Sequence, residues 1–205
     1  YSLIRFMDIL AHTLWAGAGA RVANAIAEKK NSSKQNSPGD EDKKFHVHIG
    51  WTAFFGVFPD LFAFTIPFLF RFYLIFIGKN SPSVFFSRTE GGMGGAEDGL
   101  DIAHTLYQYS HSLVIWAVVF IIVWIYFKRP RFELLGWILH ILIDIPSHLL
   151  SFYPTPFLFP ISNYKFPYGI QWSNQWFMII NYGTLLLVWG RILIKDLFAK
   201  KALKI

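Results

Sequence analysis

Apolar residues in this chain are gathered into runs long enough to cross a bilayer, and no other feature limits its folding so tightly. A helix of about 20 apolar residues covers the roughly 30 Å of hydrocarbon. Five segments meet that length: Ser2–Ala27, His48–Ile77, Ile102–Phe127, Phe132–Phe152 and Asn174–Ile194. The second is expected to break near Pro59, whose nitrogen cannot donate to the preceding turn. Hydrophobic residues make up 54% of the chain and charged residues 16%, against about 25% charged in typical soluble domains. The fold class read from this is all-α, a polytopic transmembrane helical bundle. At 205 residues it forms one domain, residues 1–205.

The formal net charge of +6 resembles that of a nucleic-acid binder, but the basic residues cluster beside the apolar runs, where the positive-inside rule places them. No nucleic-acid partner is expected. Lys128, Arg129 and Arg131 lie between the third and fourth segments, and the tail 195–205 is lysine-rich. Both are assigned to the cytoplasm. The loop from Tyr153 to Ser173, with Lys165 as its only charged residue, then faces outward, as does the amino terminus. Residues 28–45, carrying EKKNSSKQNSPGDEDKK, read as a flexible polar loop on the inner side. The glycine-rich GGMGG at 91–95 lacks the strand before it and the GK[ST] after it that a phosphate loop requires, so it reads as a hinge. No cleavable signal peptide is read in the first segment, and MDILAHTLW from Met7 looks like a natural start that leaves the origin of Tyr1–Phe6 open.

Polar residues within these runs carry the functional signal. HILIDIPSH places His140, Asp144 and His148 at four-residue intervals, one face of a helix with neighbours about 6 Å apart. Ionisable groups cost a few kcal/mol each inside a membrane and mark function by default. Measured from the inner ends of their segments, His12, His111 and His148 lie at a common depth of roughly 25 Å at helical rise. Asp60 lies near that level, with Asp144 a turn deeper and His140 deeper still. These six residues are therefore expected to converge in the outer half of the membrane. With no cysteine in the chain, a metal must be held by imidazole and carboxylate, a set that suits Zn²⁺ and also Mn²⁺ or Fe²⁺, as one or two ions. His46 and His48 at a segment boundary read as interfacial or as supports for the metal ligands, His104 as either sharing the helical face of His111 or interfacial, and Asp8 stands one turn before His12, where a carboxylate can orient its imidazole.

Four stretches, MDILAHTLW, GVFPDLFAF, YSHSL and HILIDIPSH, resemble in content and order the YdjM-type inner-membrane metal-dependent hydrolases of bacteria and archaea, from Met7 to about Trp189. Many members carry a further acidic residue after the PD aspartate and an HR pair before the THS-like motif; the corresponding stretches here are PDLF and LYQYSHS. The ligand order is more distantly similar to that of zinc-dependent phospholipase C and the P1-type nucleases. That resemblance implies a main site of Asp60, His111, His140 and Asp144, with His12, together with or without His148, near a second ion.

The expected function is hydrolysis of a phosphoester or related bond in a membrane lipid or lipid-linked substrate by metal-activated water, in the inner membrane. Asp60 or Asp144 would take the water's proton. Asn163, Lys165, Trp172 and Asn174, in PISNYKFPYGIQWSN, would hold the head group. A metal-ion or proton-coupled transporter is the alternative, and a scaffold with buried polar glue a third. Neither the oligomeric state nor the exact substrate follows from the sequence.

Overall fold

The computed structural model describes residues 2–34, 45–78 and 97–202. Six α-helices follow one another: α1 (Ser2–Lys34), α2 (Ile49–Phe76), α3 (Glu97–Ser110), α4 (Leu113–Phe127), α5 (Leu135–Ser147) and α6 (Gln175–Ala202), with a 3₁₀ turn over Phe132–Leu134 leading into α5. The described residues contain no strand, only an isolated bridge between Leu149 and Phe152. The described residues form an all-helical fold, as expected.

Among the described residues two helices, α2 and α6, are long and apolar enough to cross a membrane, or there are three spans if the bent pair α3 and α4 counts as one. The other expected segments take different forms. The fourth is not one helix from Phe132 to Phe152: α5 has only 13 residues, about 20 Å at helical rise, and ends at Ser147 because His148 turns to extended backbone. The third bends by 63° between Ser110 and Leu113. Helix α1 runs on through Glu28–Lys34, so the first part of the expected polar loop is helical; residues 35–44 and the GGMGG stretch lie outside the described residues.

Nor is α2 broken at Pro59. The helix continues through Pro59 and Pro67, as membrane helices do when neighbouring groups take up the disturbed backbone. Here the carbonyl of Gly56, in the turn before Pro59, receives the Nδ1 proton of His140 at 2.7 Å.

Helix α2 is the central element, touched by α1, α3, α5 and the 3₁₀ turn. Small residues permit the approach. A Cβ on Gly56 would stand 2.5 Å from Ala16 Cβ and 2.8 Å from the His12 carbonyl, and one on Gly136 of α5 would collide with the Thr52 carbonyl of α2. Asn24 pins the entry to α2 against α1 by exchanging two hydrogen bonds with the Val47 backbone, at 2.9 and 2.8 Å.

Helix α6 lies against α1 and exposes most of its surface, as a lipid-facing helix does. Polar ties hold it: Trp15 Nε1 to Asn181 Oδ1 at 2.8 Å, Trp189 Nε1 to the Leu14 carbonyl at 3.2 Å, and an Arg21–Asp196 ion pair. Two apolar clusters bracket the middle of α2. One packs Phe55 and Phe58 with Leu134, Trp137 and Ile141; the other packs Ala63 and Phe64 with Tyr107 and Tyr153. Asp60 lies between them.

Candidate metal centre

All six residues expected to converge do so. Asp144 is the hub, with its carboxylate shared between two sets of imidazoles. Its Oδ2 is 3.3 Å from both His111 Nε2 and His140 Nε2, and its Oδ1 is 3.1 Å from His12 Nε2 and 3.8 Å from His148 Nδ1. Asp60 Oδ1 lies 3.5 Å from His111 Nε2 and 3.8 Å from His140 Nε2. His12, His111, His140 and Asp144 are almost wholly buried, whereas the Asp60 side chain keeps 13% of its surface open. Two overlapping triads, His12–Asp60–His140 and His111–His140–Asp144, each hold their donor atoms within 4.8 Å of one another.

The stripe on α5 differs from the expected one in its last member. His140 and Asp144 are on the helix, but His148 caps its end in extended conformation, and its Nδ1 turns back to the Asp144 carbonyl at 3.2 Å. His111 occupies the equivalent place after α3: its Nδ1 is 3.2 Å from the Tyr107 carbonyl, four residues back, and 2.9 Å from Ser110 Oγ. His148 thus uses a carbonyl left over at a helix C-terminus, while the His111 ring shares the Tyr107 carbonyl with its own backbone N–H, which donates there at 2.9 Å. The negative ends of two helix dipoles point at the cluster and favour positive charge there.

Hydrogen-bond partners assign the imidazole protons. With Nδ1 of His140 donating to Gly56 and Nδ1 of His111 to Tyr107, the neutral rings present bare Nε2 lone pairs to the cluster. Those two Nε2 atoms stand 3.1 Å apart and face carboxylate oxygens as well. Acceptors facing acceptors in a buried site repel unless a cation or added protons lie among them. Protonating both rings would set two imidazolium ions side by side at that distance. Asp144 Oδ1 also accepts no aligned hydrogen bond despite its close imidazole neighbours. The ligand atoms of each triad lie within 4.8 Å of one another, an arrangement that fits a divalent cation held by His and carboxylate.

The model of the YdjM inner membrane protein family matches residues 7–200. The chain belongs to that family. It is a multi-pass inner membrane protein, as its apolar helices indicate. No curated protein and no solved structure matches it.

Other residues singled out in this YdjM-family chain lie elsewhere. His48 caps α2 by accepting from Trp51 N–H at 3.2 Å, and His104 is exposed, stacked on Tyr153 with ring centroids 4.6 Å apart; neither joins the cluster. The Asp8 side chain lies outside the described set. In the loop from Tyr153 to Ser173, Asn163 is exposed and Lys165 half-buried. Asn174 is engaged as the cap of α6, its Oδ1 accepting from Trp176 and Phe177 at 2.9 and 3.2 Å. Trp172 is buried, and its N–H donates to the Ser147 carbonyl at 2.9 Å.

Sequence reasoning passed over the residues that orient the imidazoles: Gly56, Tyr107, Ser110 and Ser147. One signal was available. The dipeptide Ser–His occurs at 110–111 and at 147–148, and in both places the serine closes a helix while its Oγ approaches the next ring's Nδ1, at 2.9 and 3.5 Å. Tyr107 adds its ring, stacked on His111 with centroids 3.7 Å apart.

Proposed function

We propose that this protein is a membrane-embedded hydrolase that binds a divalent cation, Zn²⁺ by preference, in the His/Asp cluster and cleaves a phosphoester or related bond of a lipid or lipid-linked substrate. The observation that carries the reading is the convergence of bare imidazole lone pairs and two carboxylates on one buried point. When bound, such a cation polarises the scissile group and lowers the pKa of water toward about 7.

The two carboxylates differ in what they are free to do. Asp144 is buried with imidazoles on both oxygens, so it serves to hold the cation. Asp60 is partly open, with only Oδ1 directed at the histidines, so it is the group that takes the proton from water. Imidazole nitrogens held by the Gly56 and Tyr107 carbonyls cannot turn away.

Access supports a lipid substrate. The two apolar clusters flank Asp60 along α2, and its side chain keeps 13% of its surface open; an apolar surround of this kind suits a substrate that comes from within the bilayer. Lys165 makes no hydrogen bond or ion pair among the described residues, which leaves its ammonium available to a phosphate.

The test is hydrolysis by purified protein of phospholipids and polyprenyl phosphates, before and after chelation and after Zn²⁺ readdition, with His111→Ala as control. Turnover that disappears with the chelator and returns with the ion supports the proposal. Turnover indifferent to metal, or bound metal with no hydrolysis but with ion uptake into liposomes, replaces it with a different function.

A further inference from the structure

Both helix ends that present site histidines are fastened to the loop 153–172, and every bond uses the loop's backbone. At the α5 end, the N–H groups of Ile170 and Trp172 donate to the Pro146 and Ser147 carbonyls at 2.8 and 2.9 Å. Between them and His148 there is no room for a side chain: a Cβ on Gly169 would run into the His148 carbonyl oxygen. At the α3 end, Tyr107 Oη donates to the Tyr153 carbonyl at 3.0 Å, Leu113 N–H to the Phe157 carbonyl at 3.0 Å, and Ser112 Oγ to the Phe159 carbonyl. Tyr153 is held at φ +44°, a left-handed conformation that a bulky residue adopts only where its surroundings impose it.

We infer that the loop 153–172 is a positioning element of the metal centre, with Gly169 the residue at which it sets His148, and that docking of this loop and binding of the cation are coupled. The inference rests on the cluster being a metal centre and not on its being hydrolytic. Its physical basis is reciprocity. The loop fixes the backbone of His148, whose Nδ1 holds the Asp144 carbonyl, and the Tyr107 carbonyl and ring fix His111. A cation that demands His111 and Asp144 in place therefore favours the docked loop, and a loop forced off its seat weakens the cation by the same factor. This reading makes residues 169–172 part of the protein's own scaffold. Head-group contact falls to the segment around Asn163 and Lys165.

The experiment uses full-length protein in detergent with Co²⁺ as a spectroscopic probe. Gly169→Ala should weaken Co²⁺ binding about tenfold or more, the usual cost of disturbing groups that orient ligands, and should alter the visible absorption of the bound ion. Gly183→Ala, where an added Cβ meets nothing within 4 Å, should change neither. A second measurement needs no variant. Lys165 is the only Lys or Arg between Tyr153 and Ser173, so tryptic cleavage there reports loop release, and saturating Co²⁺ should slow it about tenfold in the wild-type protein, matching the affinity effect by linkage. If Gly169→Ala fails to fold, the cleavage rate decides. Wild-type Co²⁺ affinity in Gly169→Ala, or cleavage at Lys165 unaffected by metal, overturns the coupling and leaves the metal centre standing; wild-type protein that binds no metal overturns both.

Discussion

Gly56→Ala tests the packing that builds the centre. Ala is the better helix former by about 1 kcal/mol, so an exposed glycine in this position would be stabilised by the change. The site forbids it: the new methyl would stand 2.5 Å from Ala16 Cβ and 2.8 Å from the His12 carbonyl, against ordinary contacts of 3.4–4 Å. Helix α1 must withdraw by about 1 Å, and overpacking of this kind costs about 1–3 kcal/mol. Net destabilisation is then roughly 0–2 kcal/mol, small enough to leave a folded protein. The effect on the centre is larger, because metal ligands keep their distances within about ±0.2 Å and His12 moves with α1. The same turn of α2 supplies the carbonyl that orients His140. Metal affinity should fall by about 10–100-fold while the melting temperature in detergent drops by a few degrees. Isothermal titration with Zn²⁺ and a thermal melt, with Gly183→Ala alongside, measure both. Wild-type affinity in Gly56→Ala would refute the claim that the close α1–α2 approach places His12.

Removing ligands should act on metal before fold: His140→Ala and Asp144→Ala are expected to insert normally and to be purified without metal, and wild-type metal content in both would sink the assignment. Asp60→Asn should reduce turnover by about 10²–10⁴-fold with the cation retained; loss of the cation would make Asp60 a ligand instead of the base. Asn181→Leu, which removes the interhelical bond from Trp15, should cost about 0.6–2 kcal/mol in unfolding experiments and leave metal content unchanged. For topology, a reporter at Tyr164 should lie outside and one after Lys201 in the cytoplasm; cytoplasmic labelling at Tyr164 would invert the orientation.

What could be read in the sequence was the meeting of its buried polar residues. Ionisable residues stand out against apolar runs, and counting along helices was enough to bring His12, Asp60, His111, His140, Asp144 and His148 to one place. Helix continuity was harder to read, because it depends on tertiary partners. Proline at 59 reads as a break, yet α2 continues through it with His140 bound to the nearby Gly56 carbonyl. The ends of α3 and α5 have neither glycine nor a charge to announce them, since their carbonyls are met by the backbone and ring of His111 and by the backbone of the loop 153–173. Trp172 and Asn174 read as head-group contacts because their loop was expected on the same face as the site; in the structure Trp172 is buried and Asn174 caps α6.

The central claim is that the buried His/Asp cluster binds a divalent cation, and elemental analysis of the purified protein measures it most directly. Wild-type protein should carry at least one equivalent of metal per chain, Zn²⁺ foremost, retained through gel filtration and absent from Asp144→Ala purified in parallel. Folded wild-type protein free of metal that takes up none on Zn²⁺ addition, or metal retained in full by Asp144→Ala, would contradict it.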